Sequence, residues 1–88
     1  MLRTLELANC ARLTDEGIKA LALGCPKLEM LDLSFCKNVT SVGMEWLCGN
    51  MNAEGCNELR VIRLVETAVS GSGTSSLLKR FKYIEILD

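Results

Sequence analysis

The chain has no histidine, one proline and no CxxC pair. Without histidine, zinc sites of the Cys/His types and a Cys–His nucleophile couple are both excluded. Its five cysteines, Cys10, Cys25, Cys36, Cys48 and Cys56, follow one another at intervals of 15, 11, 12 and 8 residues. The close pairs on which structural zinc sites draw are therefore missing, and no metal or other cofactor is expected. An odd number of cysteines forms no closed disulfide set. Charge of one sign is also lacking: 10 basic against 11 acidic residues give a net −1. The basic residues are scattered, whereas a nucleic-acid surface needs them clustered, so no nucleic-acid partner is expected. No apolar run approaches the roughly 20 residues of a membrane span. In the opening MLRTLELANC, Arg3 and Glu6 break the apolar core that a signal peptide needs. Reduced thiols and a cytoplasmic or nuclear location are the expectation.

What the chain does have is apolar content, 49% of 88 residues, enough for one small domain or a piece of a larger one. A chain of this length buries roughly 60–65% of its unfolded surface, a marginal core.

That apolar content is periodic. Residues 2–27 and 28–58 align at a constant offset of 26, placing Leu2, Leu5 and Leu7 over Leu28, Leu31 and Leu33. At the same offset Cys10 meets Cys36, Leu13 meets Val39, Thr14 meets Thr40, Gly17 meets Gly43, and Leu21 meets Leu47. Cys25 matches Cys56 once extra residues are looped out around Gly49–Gly55. A third unit, 59–80, carries Leu59, Ile62 and Leu64, with Thr67 in the place of the cysteine. A partial fourth, 81–88, sets Phe81, Ile84 and Ile86 in the strand positions. Each L-x-x-L-x-L alternates with period two, so Leu5 and Leu7 point inward and residues 4, 6 and 8 outward. Thr14-Asp15 starts a helix, with Thr or Asp as its cap, and Gly24-Cys25-Pro26 ends it. No unit can cover its apolar face alone; stacking makes the core continuous.

The pattern L-x-x-L-x-L-x-x-C-x-x-[LV]-T-x-x-G-[IM]-x-x-L, with a second Cys before the next Leu, resembles the cysteine-containing class of leucine-rich repeat. That class is typical of F-box proteins of the leucine-rich-repeat type, the substrate receptors of cullin-based ubiquitin ligases. It is also similar to repeats of yeast mitotic-exit antagonists and some ciliary regulators. The resemblance covers nearly all of the chain, though the third unit departs from it and no F-box is present. It implies an α/β fold: a right-handed leucine-rich-repeat solenoid with a concave parallel β-sheet and convex helices, about three repeats plus a terminal strand. It implies a protein-interaction module rather than an enzyme, reading ubiquitin-ligase substrates or serving as a cytoskeletal, ciliary or cell-cycle scaffold.

Cys10, Cys25, Cys36 and Cys56 recur at two fixed positions of the repeat, so a structural role is expected for them: Cys10 and Cys36 at the bend after the strand, where Thr67 replaces them, with a weak S–H donor for a buried carbonyl, and Cys25 and Cys56 at the helix end. Cys48 lies outside the pattern, as packing or as an exposed thiol. GSGTSS (71–76) lacks the lysine of a phosphate-binding loop, and Gly73 is the counterpart of Gly17 and Gly43. Asp15-Glu16 suits a helix N-terminus. Trp46 either packs on the neighbouring helix or anchors a partner. The insertion 48–55 is either a functional edge loop or an accident of length.

Binding is expected on the outward strand residues. The first column is Thr4, Met30, Val61 and Tyr83; the second is Glu6, Asp32, Arg63 and Glu85; the third is Ala8, Ser34, Val65 and Leu87, with Asn9, Phe35, Glu66 and Asp88 just beyond. Charge between apolar columns suits a protein or peptide partner. Met30, Asp32, Phe35, Arg63, Val65, Tyr83 and Glu85 are the candidate contacts, with Met30, Phe35 and Tyr83 as anchors. Arg63 is either free for a partner or neutralised within the face. Leu5, Leu7, Ile84 and Ile86 fall near open ends, which flanking repeats or another chain are expected to cover.

Overall fold

The L-x-x-L-x-L segments yield four short parallel strands: β1 (Thr4–Glu6), β2 (Met30–Asp32), β3 (Val61–Arg63) and β4 (Glu85–Leu87). Helices alternate with them: α1 (Asp15–Gly24), α2 (Ser41–Leu47) and α3 (Gly71–Arg80). The computed structural model describes residues 2–49 and 55–87. Residues 50–54 of the insertion, together with Met1 and Asp88, lie outside the described residues.

The sheet order is β1-β2-β3-β4, every pair parallel. Leu5, Leu31, Ile62 and Ile86 share one register line. Leu31 and Ile62 are fully buried there, whereas Leu5 and Ile86 on the edge strands are only half-buried. Helix residues Ile18, Met44, Leu47 and Leu77 join Leu31, Leu33, Ile62 and Leu64 in one core. The helices therefore cover the inward face of the sheet, and the outward residues Thr4, Glu6 and Arg63 remain exposed. Each fully buried aliphatic side chain contributes roughly 1.5–3 kcal/mol, so the middle repeats carry most of the stability.

Close approach of the helices depends on a recurring glycine. A Cβ on Gly43 would lie 2.6 Å from Asp15 Oδ1 and 3.3 Å from Ile18 Cγ1; one on Gly73 would lie 2.7 Å from Ser41 Oγ. The GSGTSS segment is thus the seat of one helix start upon another. Ser41 Oγ accepts from the Ser70 amide at 2.9 Å across the same junction.

The insertion leaves the repeat frame intact. In α1 the Cys25 amide closes the last turn on Leu21 O at 2.8 Å; Cys56, after the insertion, makes the equivalent bond to Leu47 O at 3.1 Å. Gly55 permits this return. Its φ is +73°, and a Cβ there would fall 2.4 Å from Leu47 O.

The fourth unit corrects the expected alignment. Glu85 pairs with Val61, Ile86 with Ile62 and Leu87 with Arg63. Phe81 is no strand residue: its amide bonds Leu77 O at 2.9 Å, and Ile84 N bonds Phe81 O as Leu28 N bonds Cys25 O. Phe81 therefore occupies the helix-end slot of Cys25 and Cys56, and the approach to β4 is one residue shorter than the approach to β3. Phe81-x-x-Ile84-x-Ile86 satisfies the leucine spacing by coincidence, because a bulky aromatic fills the place of a thiol.

Candidate protein-binding face

The register rearranges the outward columns. The first holds Thr4, Met30, Val61 and Glu85; the second holds Glu6, Asp32, Arg63 and Leu87. Tyr83, expected in the first column, precedes β4 and is 88% exposed. Met30 and Val61 are half-buried neighbours at the centre of the face. Ala8, Ser34 and Val65 fall in the turns after the strands, although Asn9 N to Ser34 O (2.8 Å) and Phe35 N to Val65 O (2.7 Å) continue the parallel ladder through them. Ser34 is buried, and its amide donates to Asp32 Oδ1 at 3.0 Å, fixing that carboxylate along the face.

Arg63 makes no ion pair among the described residues. Among the described residues the ion pairs are Arg3–Glu29 at 3.6 Å and Lys27–Glu58 at 3.5 Å, both outside these columns. Glu6, Asp32, Arg63 and Glu85 thus form no ion pair with one another among the described residues, and Asp32 Oδ1 is taken by the Ser34 amide.

The rim of the face has a feature that alternation does not reveal. Asn9, Phe35 and Glu66, at one position of successive repeats, have φ of 66°, 65° and 56°. Each is the third residue of a turn closed by Cys10 N to Leu7 O (3.2 Å), Cys36 N to Leu33 O (3.0 Å) and Thr67 N to Leu64 O (3.3 Å). A positive φ at that place alone is the pattern of a type II turn, which favours Gly or Asn. Asn9 fits it. Phe35 and Glu66 do not, and left-handed backbone costs such residues on the order of 1 kcal/mol. Phe35 is 44% exposed beside Val65, itself on the surface.

The cysteines work between repeats. Cys36 Sγ donates to Leu7 O at 3.0 Å and Cys56 Sγ to Cys25 O at 3.4 Å, each reaching back one repeat. Thr67 instead bonds Leu64 O at 3.0 Å within its own turn. Cys10 and Cys25, in the first repeat, are half-buried against the same core. Burial raises the pKa of the Cys36 thiol and pushes that of Cys56 up to about 11. Cys48 is half-buried too, and burial raises its pKa against the opposing pull of Arg80. It is therefore not the exposed, activated thiol that its place outside the pattern allowed. Among the described residues no group of His, Cys, Asp and Glu could hold a metal, and no helix is long and apolar enough to cross a membrane. Trp46 is half-buried, with Lys19 Nζ of the preceding helix 4.8 Å from its ring centroid.

The sequence profile described as the leucine-rich repeat matches residues 1–22 and 24–48, more than half of the chain. The chain belongs to the leucine-rich-repeat family. Two of its relatives are F-box proteins. An F-box/LRR-repeat protein 4 of Bos taurus is 52% identical over 40 residues, 46% of this chain and 6% of that protein. The F-box protein MAX2 of Arabidopsis thaliana is 28% identical over 87 residues, 97% of this chain and 12% of that protein. The repeats thus resemble those of F-box/leucine-rich-repeat proteins, and the chain spans only a small part of these curated relatives. A chain in the solved structure of the Chaetomium Mex67:Mtr2 subunits superposes with a TM-score of 0.67 at 23% identity, over 98% of this chain and 56% of that one. At that identity the likeness is one of fold.

Proposed function

We propose that this leucine-rich-repeat chain is a protein-recognition segment of an F-box type ubiquitin-ligase receptor, holding its substrate on the outward face of the sheet. Protein interaction is the general role of the family; the ligase role rests on resemblance to the two F-box proteins. One observation carries the choice of face. Phe35 stands exposed on the rim in a backbone conformation that asparagine adopts more cheaply at the same slot in the first repeat. Strain retained at an exposed aromatic argues for use in binding, because folding gains little from it. Val65 stands beside it, Met30 and Val61 supply an apolar floor at the other end of the strands, and Asp32, Arg63 and Glu85 set register. The sheet is taken as the concave side of a right-handed coil. Catalysis is left to other parts of a ligase assembly. A cytosolic or nuclear setting suits five free cysteines, two of them hydrogen-bonded as thiols.

Immunoprecipitation of the native protein, wild type and Met30→Ala/Phe35→Asn, tests both parts of the reading. The expected result is cullin and its adaptor in both samples, and a specific companion recovered with the wild type only. Absence of cullin from both would end the ligase assignment. Equal recovery of every companion would end the assignment of the face.

A further inference from the structure

A cavity of about 570 Å³ opens at the edge of the solenoid, between the turn that precedes β3 and the shortened turn that precedes β4. Leu59 and Phe81 form its apolar wall, and Arg60, Arg80 and Lys82 line it together with Glu29 and Glu58. The two acids are engaged elsewhere: Glu29 pairs with Arg3 at 3.6 Å and Glu58 with Lys27 at 3.5 Å. The three cations have no carboxylate among the described residues. Arg80 is held in place by neutral acceptors, with Nε donating to Cys48 O at 3.2 Å and Nη2 to Asn57 Oδ1, and it lies over the Phe81 ring. The side chains of Arg60 and Lys82 make no hydrogen bond or ion pair with described residues. A second groove, sharing Glu29, Arg60 and Tyr83, runs on to Met30, Val61 and Glu85 of the sheet face.

We propose that this cavity is a docking pocket for an acidic segment of the partner protein, a Glu or Asp carboxylate set between Arg60 and Lys82. The inference rests on the sheet-face reading above, because the second groove makes one continuous track from Met30 to the pocket. Charge selects the ligand. Glu29 and Glu58 are balanced by Arg3 and Lys27, so Arg60, Arg80 and Lys82 leave uncompensated positive charge that an acidic segment carrying more than one carboxylate balances. The planar fork of Arg60, without a hydrogen bond to described residues, also suits bidentate pairing with a carboxylate.

The test is a titration of the isotopically labelled 88-residue chain, followed by backbone amide NMR. The probes are a capped Leu-Glu-Glu-Leu peptide, its Leu-Gln-Gln-Leu analogue, its phosphoserine analogue and inorganic phosphate. The acidic peptide is expected to shift the amides of residues 57–60 and 80–83 saturably, at least tenfold more weakly in high salt. The glutamine peptide should bind at least tenfold more weakly than the acidic one. Arg60→Ala/Lys82→Ala should weaken the acidic peptide by a similar factor while the rest of the spectrum, and so the fold, is unchanged. Equal affinity of the Glu and Gln peptides, or no saturable shift at these amides, overturns the proposal. Tighter binding of phosphate or of the phosphoserine peptide overturns the choice of carboxylate. Shifts confined to Phe35 and Val65 would overturn the pocket and leave the sheet face standing. A sheet face that fails is instead seen in the Met30→Ala/Phe35→Asn immunoprecipitation.

Discussion

Asp15 opens helix α1, yet its carboxylate binds the residue that caps α2. Oδ1 accepts from the Thr40 amide at 2.8 Å and Oδ2 from the Thr40 hydroxyl at 2.5 Å, while Thr40 Oγ1 accepts from Val42 N at 3.2 Å. One acid thus ties two repeats together at the helix starts. Asp15→Ala should lower unfolding free energy by about 1.5–3 kcal/mol, the usual range for hydrogen bonds to a charged group. Urea unfolding of the two proteins measures it. A loss under about 0.5 kcal/mol would show that the junction is held by packing alone.

The Cys56 thiol gives the fold a sensitivity to alkali. Its pKa rises from 9.0 unfolded to about 11 in the fold, because burial disfavours the thiolate. The neutral thiol is therefore stabilised, and its contribution is complete below pH 9, declining as pH rises through 9 to 11. Every tenfold difference in proton affinity between the folded and unfolded chains corresponds to about 1.4 kcal/mol. Thermal melts across that range should show wild type losing more stability than Cys56→Ser, which keeps a donor for Cys25 O but does not titrate there. Parallel curves for the two proteins would contradict the assignment.

Two glycines should respond in opposite directions. Gly55→Ala forces a Cβ against Leu47 O in a left-handed backbone and should cost more than about 1 kcal/mol. Gly24, at the end of α1, has nothing within 4 Å of its would-be Cβ, and Gly24→Ala should stabilise by about 0.5–1 kcal/mol. Equal effects in chemical denaturation would mean that the insertion does not return through Gly55 as described.

The rim turns offer a cleaner test of strain. Glu66 has a positive φ and an exposed side chain. Glu66→Asn should therefore raise stability by a few tenths to about 1 kcal/mol. No gain would remove the strain argument from Phe35 as well.

Much of this was legible in the residues. The 26-residue offset carried Leu5 onto Leu31, and the pairing of those two strands follows it. Period-two alternation was enough to separate Glu6 and Arg63 from Leu5 and Ile62. It fails at the fourth strand, where Phe81 imitates a leucine while filling the slot of Cys25, so that Glu85 and Leu87 each stand one column from their expected places and Tyr83 falls before the strand. The link from Asp15 to Thr40 and the pocket around Arg60 and Lys82 were not legible. Both join residues of different repeats, and a pattern read within one repeat says nothing about contacts between two. The same holds for the φ of Phe35, since the type II turn is visible in Asn9 but hidden by an aromatic side chain.

The central claim is that Phe35 serves recognition rather than folding. Its most direct test is to measure, on purified wild type and Phe35→Asn, both thermal stability and affinity for the companion protein recovered from cells. The predicted result is a change of stability within about 1 kcal/mol, since relief of strain offsets lost contact of a half-exposed ring, with at least a tenfold loss of affinity. Unchanged affinity, or lost affinity that merely accompanies unfolding, would contradict it.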